Sequence, residues 1–291
     1  MISYNSKEWF GIFRLHKADT FRKLLPLILF ICAYTAAISF LEIEYLRLTD
    51  SSHIKNITLL HSLLGIAISL LLVFRTNTAN DRWWEARRQW GALVNNSRNL
   101  AIKLNIRLRE QESERAFFAS LIPRFALELM HHLRSAATKY ELDEKPHPEI
   151  PDFDTSGHVP SQVANLMLQR VYSLQDQTLL SPEQLLMLNP ELSSFMDICG
   201  ACERIRNTPI PYSYSAFIKK FIFVYVITLP FGFAFSLGYL AIPVVALIFY
   251  VLGSLEVIAE EIEEPFGTDA NDLPMDRLCH TIDKTVKEIL G

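Results

Sequence analysis

Few residues of this chain have both the type and the spacing that chemistry needs. Cys199 and Cys202 form a CxxC pair. A redox or zinc site would add a second pair or a histidine close by in the sequence, and neither follows. The pair reads as two small residues packed on a helix. His131 and His132 are adjacent. Neighbours on a helix point about 100° apart, so the two cannot easily share one ion, and no metal site is expected. The run Arg75, Arg82, Arg87 and Arg88 reads as a membrane-surface and salt-bridge face. Asp81 and Glu85 are its local partners, with Glu85 to Arg88 at i,i+3. There is no GxGxxG, P-loop, GxSxG or HExxH, and no nucleophile with a base and an orienting group nearby in the sequence. The expectation is a protein that is not an enzyme and carries no cofactor.

What remains is passage rather than reaction. Ser62, Ile66, Leu70 and Phe74 recur every four residues, with Leu59, Leu63 and Val73 beside them. They make one stripe down a helix. Every residue around them is apolar, so the stripe alone has little weight. Gly65, Ala67 and Ser69 lie between and let helices approach closely. A ring of such stripes forms a hydrophobic constriction that gates by dewetting. One chain with few spans would need several copies, each lending one helix.

The elements that hold this stripe follow from where the apolar residues fall. The chain has 291 residues, half of them hydrophobic and 21% charged, with a net charge of −4. Mean hydropathy is +0.17 and the pI about 6.1. These values suit a composite of membrane spans and a water-soluble part. They argue against disorder and against a nucleic-acid binder. Four cysteines in this length do not make a disulfide scaffold. Leu24 to Leu41 and Ile57 to Phe74 are uncharged and fit one span each. Phe221 to Leu255 is also uncharged and fits two, joined near 235–242, where Ser236 and Gly238 can turn the chain. The spacing therefore predicts four spans.

Lys7, Arg14, Lys17, Arg22 and Lys23 precede the first span, whereas the loop 42–56 carries only Arg47 and Lys55. Lys219 and Lys220 precede the third. The bias places both termini and the long middle segment in the cytoplasm. Residues 1–23, with Trp9, Phe10 and Phe13, read as an interfacial helix rather than a cleaved leader. Residues 24–74 hold the first two spans, 75–214 a cytosolic helical region, 215–258 the last two spans and 259–291 a cytosolic tail. Within the middle, 80–108, 116–140, 161–174 and 182–206 read as helices, and 143–160 as a proline-rich loop. Ser181 and Pro182 supply an N-cap and an N1 proline.

Three segments make the reading specific. Phe74-Arg75-Thr76-Asn77-Thr78-Ala79-Asn80-Asp81-Arg82-Trp83-Trp84-Glu85-Ala86-Arg87 resembles the segment that follows the second span in the bestrophin family, in its prokaryotic branch. Glu260 through Pro274 (EEIEEPFGTDANDLP) resembles that family's second signature, and Cys202-Glu203-Arg204-Ile205 with Thr208-Pro209-Ile210-Pro211 a third. The order and the span layout fit almost end to end.

The resemblance implies an all-α membrane protein: four transmembrane helices and a large helical cytosolic region, homopentameric around a central pore in the bacterial inner membrane. It implies partners among membrane lipids and monovalent ions and none among nucleic acids. By position it makes Ile66, Leu70 and Phe74 the pore neck, with Ser62 above them. Leu70 departs from the isoleucine or phenylalanine commoner at that ring but stays apolar. The match puts a second, cytosolic constriction near Glu183, where the family more often has an apolar residue. A five-fold ring of Glu183 would favour cations, whereas a solvated first-turn acid would only stabilise its helix. Asp269 and Asp272 fall where eukaryotic relatives hold calcium, but Ala270 and Asn271 interrupt the cluster. Calcium is not favoured, and Asp272 reads better as an N-cap to a last helix. The function implied is passive conduction of monovalent ions, with cations such as sodium ahead of chloride. A chloride channel of the same family and a membrane-anchored binding or signalling module are the alternatives. Uncharged spans without a visible repeat disfavour a secondary transporter.

Overall fold

A computed structural model of the chain describes residues 20–46, 52–134 and 157–291. The interfacial helix expected over 1–23 falls mostly outside them, as does most of the loop over 143–160. Among the described residues the chain is helical throughout, with no strand. The order is α1 (Thr20–Phe40), a π-helical turn (Leu41–Leu46), α2 (Ser52–Arg107), α3 (Glu112–Arg134), α4 (Val159–Asp176) and α5 (Pro182–Asn207). Then come α6 (Tyr212–Thr228), α7 (Pro230–Leu237), a 3₁₀ turn (Gly238–Leu240), α8 (Ala241–Glu263) and α9 (Met275–Leu290). Three stretches among the described residues are long and apolar enough to cross a membrane: Thr20–Tyr45, Leu59–Arg107 and Tyr212–Glu263.

The helices fall into two compact units, divided within α2 after Arg82. The first holds α1, the N-terminal part of α2, α6, α7 and α8. Its third apolar stretch doubles back. Gly238 turns with a φ of +57°, a conformation that glycine adopts without a Cβ penalty. Lys219 near the start of α6 then pairs with Glu260 near the end of α8, at 2.9 Å. The core here is Leu24, Ile28 and Ile31 of α1, Ile68 and Leu72 of α2, Ile218, Ile222 and Val226 of α6, and Val245 and Phe249 of α8. Gly65 marks the close approach of α2 to α6. A Cβ on it would stand 2.8 Å from the Tyr225 hydroxyl.

The second unit packs α3, α4, α5 and α9 with the C-terminal part of α2. Its core is aromatic and aliphatic: Trp90, Leu93, Leu100, Phe117, Phe118, Phe125 and Phe195 are fully buried or nearly so. α3 buries residues almost all round, as suits a helix flanked by α4, α5 and α9. α5 opens on the expected cap. The Ser181 hydroxyl accepts from the Gln184 N–H, and the Gln184 side chain returns the bond to the Ser181 N–H. α9 buries Cys279, Ile282, Val286 and Leu290 at helical spacing. Its start differs from expectation. Pro274 occupies the cap position with no side-chain bond, and Asp272 lies two residues earlier, its side chain buried. The Leu273 N–H donates to the Pro265 carbonyl, which draws the chain through a turn before the helix can begin.

The apolar segment and the Arg-rich segment form one helix of 56 residues. No Pro interrupts 57–107, and although Thr78 and Asp81 have the spacing of a capping box, the Thr78 hydroxyl bonds back to the Phe74 carbonyl and the helix continues.

Candidate ion pathway

α2 shows two faces within the first unit. Ile68, Leu72, Arg75 and Ala79 are buried by the chain's own helices. On the opposite side Leu59, Leu63, Ile66, Leu70, Val73 and Phe74 stand uncovered, Ile66 at 68% exposure, Leu70 at 55% and Phe74 at 56%. Ser62 is exposed on the same stripe. All four residues expected to line a neck therefore share one uncovered face. Polar groups among them are satisfied inside the helix. The hydroxyls of Ser69, Thr76 and Thr78 donate to the carbonyls of Gly65, Leu72 and Phe74. The face thus presents hydrocarbon and no charge. Beside it an open apolar groove of about 580 Å³ runs between Gly65, Ser69 and Val73 of α2 and Tyr225, Ile248 and Leu252.

The arginines after the stripe do not share one surface face, since Arg88 is exposed, Arg82 and Arg87 are half-buried and Arg75 is enclosed. Arg75 is buried, with 1% of its side chain exposed. Its Nη2 donates to Glu263 Oε2 at 2.6 Å, and its Nε lies 3.7 Å from Glu256 Oε2. Glu263 also accepts from the Ile210 N–H, and Arg82 donates to its main-chain carbonyl. Lys23 and Asn271 share the carboxylate of Glu261. Two sequence segments that carried the resemblance, after residue 74 and after residue 260, therefore meet through the Arg75–Glu263 ion pair and the Arg82 hydrogen bond. In the second unit Glu85 pairs with Arg204 at 2.6 Å rather than with its sequence neighbour Arg88. Sequence spacing suggested local pairs because i,i+3 contacts are all that spacing can show.

Glu183 is exposed in the first turn of α5. The Ser181 hydroxyl donates to its Oε2 at 2.6 Å, and that bond holds the carboxyl below its ordinary range. It is ionised at neutral pH and free to face water. Leu186, one turn on, is 72% exposed and apolar. Asp269 and Asp272 join no cluster of three or more His, Cys, Asp or Glu donor groups among the described residues. Cys199 and Cys202 are free and buried on α5. Burial pushes both thiols up to about 12, so neither is a thiolate at neutral pH.

Sequence comparison decides the family. The bacterial and fungal bestrophin profile matches residues 1–288. The chain belongs to the bestrophin family. The voltage-dependent anion channel-forming protein alr2987 of Nostoc sp. is 36% identical over 234 residues, 77% of this chain and 75% of that protein. A protein of the same description from Ralstonia nicotianae is 28% identical over 98% of this chain and 92% of its own. A crystal structure of a mutant bacterial bestrophin homologue from Klebsiella pneumoniae superposes with a TM-score of 0.80 at 25% identity, covering 92% of this chain and all of that one. As a bestrophin-family ion channel the chain is a membrane protein. The uncovered apolar face of α2 is its candidate path.

Proposed function

We propose that five copies of this chain surround one axial pore and conduct monovalent ions passively. The observation that carries this is the α2 face. Six large apolar side chains over four turns are left uncovered by their own chain, opposite a face that is fully packed. Lipid alone could cover such a stripe, but a groove of about 580 Å³ beside it offers a seat for a neighbour's helix. Around a five-fold axis Ile66, Leu70 and Phe74 then form the neck, with Ser62 above. The hairpin of α6–α7 and α8 supplies two crossings, and α1 and α2 one each. Both termini and the second unit lie in the cytoplasm of a bacterial inner membrane.

A neck without charge carries no sign, so selectivity is set elsewhere by oriented charges and dipoles. A ring of Glu183 at the cytosolic end favours cations such as sodium. The relatives, named as voltage-dependent anion channel-forming proteins, favour the second reading, anions. Reversal potentials in asymmetric NaCl separate the two, with purified protein in liposomes. The cation reading expects a potential near that of sodium, reduced in Glu183→Gln. A potential near that of chloride, unmoved by the substitution, establishes the anion reading. Replacing Ile66, Leu70 and Phe74 together by alanine widens the neck and should raise flux severalfold. No flux from either protein would sink the channel reading for this chain.

A further inference from the structure

Three side chains from three helices of the second unit converge at a point the ion path does not use. His132 lies in the last turn of α3, His158 is the N-cap of α4, and Glu203 sits near the end of α5. Glu203 Oε1 lies 2.7 Å from His132 Nε2 and 2.9 Å from His158 Nε2. The two rings meet edge to face with centroids 4.5 Å apart. The side chains are 30%, 32% and 31% exposed, so water and a solute ion can reach them.

We propose that His132, His158 and Glu203 form a binding site for a divalent ion of the zinc class. Two imidazoles and one carboxylate are a donor set that borderline transition ions take, with a water completing the shell. The three donor atoms all lie within 4.8 Å of one another. Bonds of about 2.0–2.2 Å around a tetrahedral ion put neighbouring donors roughly 3.4 Å apart. The two contacts to Glu203 open by roughly half an ångström or a little more, and the two imidazole nitrogens, within 4.8 Å of each other, adjust to the same spacing.

The surroundings suit this exchange. His158 Nδ1 is 2.5 Å from Ser161 Oγ. With a proton on Nδ1 the ring donates to that hydroxyl and turns the Nε2 lone pair toward the ion, the usual outer-shell arrangement. The Ser161 N–H, which caps onto Nδ1 at 3.2 Å, also reaches the His158 carbonyl at 3.1 Å and keeps an acceptor. Arg206 donates to the His132 carbonyl and holds the end of α3 to α5. Burial pushes the Glu203 carboxyl up, but the hydrogen bonds from His158 and His132 outweigh it and hold the group below its ordinary range. His131 is turned away, with Nδ1 3.8 Å from Glu128. A bound ion would tie α3, α4 and α5 together, and the site stands or falls independently of ion conduction.

The test uses the full-length protein in detergent. After equilibration with zinc and dialysis, metal analysis should find about one zinc per chain and no retained magnesium, which keeps its waters and prefers oxygen ligands. Zinc should also raise the Tm of the wild type. His158→Asn keeps a good N-cap while removing a ligand, and Glu203→Gln keeps the shape while removing the charge. Each should bind zinc at least tenfold more weakly and lose the Tm rise, with an unchanged helical spectrum. If one variant fails to fold, the other carries the comparison. Absence of zinc from the dialysed wild type overturns the site. Binding equally tight in the folded variants overturns it too, and leaves the three residues a hydrogen-bonded clamp.

Discussion

The two units of this chain place their apolar residues oppositely. In the first, large hydrophobic side chains face outward: Leu29, Phe30, Leu59, Ile66, Phe223, Val224 and Leu247 are all more than half exposed. Four of its charged side chains, Arg75, Glu256, Glu261 and Glu263, are buried, while Lys219 and Glu260 pair at its surface. In the second the aromatic residues are inside; Glu114 and Glu128 are buried with them, and the ion pair of Arg204 with Glu85 stands at the surface. The difference is what the proposed placement, the first unit in lipid and the second in water, leads one to expect. In water, each large apolar side chain that is buried contributes about 1.5–3 kcal/mol, so the second unit gathers them. In lipid that drive vanishes between helices, and packing and polar contacts hold the first unit together. Arg75 and its carboxylates do there what Phe125 and Phe195 do in the other unit, whose rings meet with centroids 4.8 Å apart.

The contrast can be broken from either side. Arg75→Ala strands the carboxylates of Glu263 and Glu256. The expected loss is about 3–5 kcal/mol, read as a lowered Tm in detergent, and Arg75→Lys should recover part of it. A negligible change would show that water reaches these carboxylates and that the first unit is not pinned by its ion pairs. Phe195→Ala in the second unit should cost a comparable amount, about 3–5 kcal/mol, through a cavity against Phe125.

A smaller effect concerns Glu128, largely buried on α3 beside Arg124 and His131. Burial raises its carboxyl pKa, but hydrogen bonds and charge from His131 and Arg124 outweigh this, and the net shift is downward from 4.5. A carboxylate depressed in the folded state contributes stability that is present above its unfolded value and lost as pH falls through the folded one. Wild type should therefore lose stability more steeply than Glu128→Gln below about pH 4.5, in paired unfolding curves at several pH values. Parallel curves would remove Glu128 from the acid response. The smallest change in stability belongs to Ile66→Ala. An outward side chain of the first unit should matter by no more than about 0.5 kcal/mol to the fold, while ion flux changes. A core-sized loss of Tm would mean that this face packs within the chain.

Much of the fold was legible before any coordinates. Uncharged runs located α1, the apolar part of α2 and the α6–α8 hairpin, and Gly238 fell within the turn foreseen for it. Ser181 and Pro182 announced the start of α5. The stripe from Ser62 to Phe74 could be drawn from its four-residue spacing. Whether it was uncovered could not, because apolar residues occur on every side of this stretch and spacing alone does not pick out one face. Local pairing rules misassigned Arg75 and Glu85, whose partners lie 188 and 119 residues away. The cap proposed for Asp272 failed for a similar reason, since a turn bonded back to Pro265 delays α9.

The sequence by itself determined the family, the helices and which segments suit lipid, because hydropathy and cap chemistry act over a few turns of chain. Only the tertiary structure decided which face of α2 is left uncovered and which carboxylates hold Arg75. It also decided that His132 meets His158 and Glu203 rather than its neighbour His131. Those outcomes depend on the packing of helices distant in sequence, and no spacing along one helix records where another will lie.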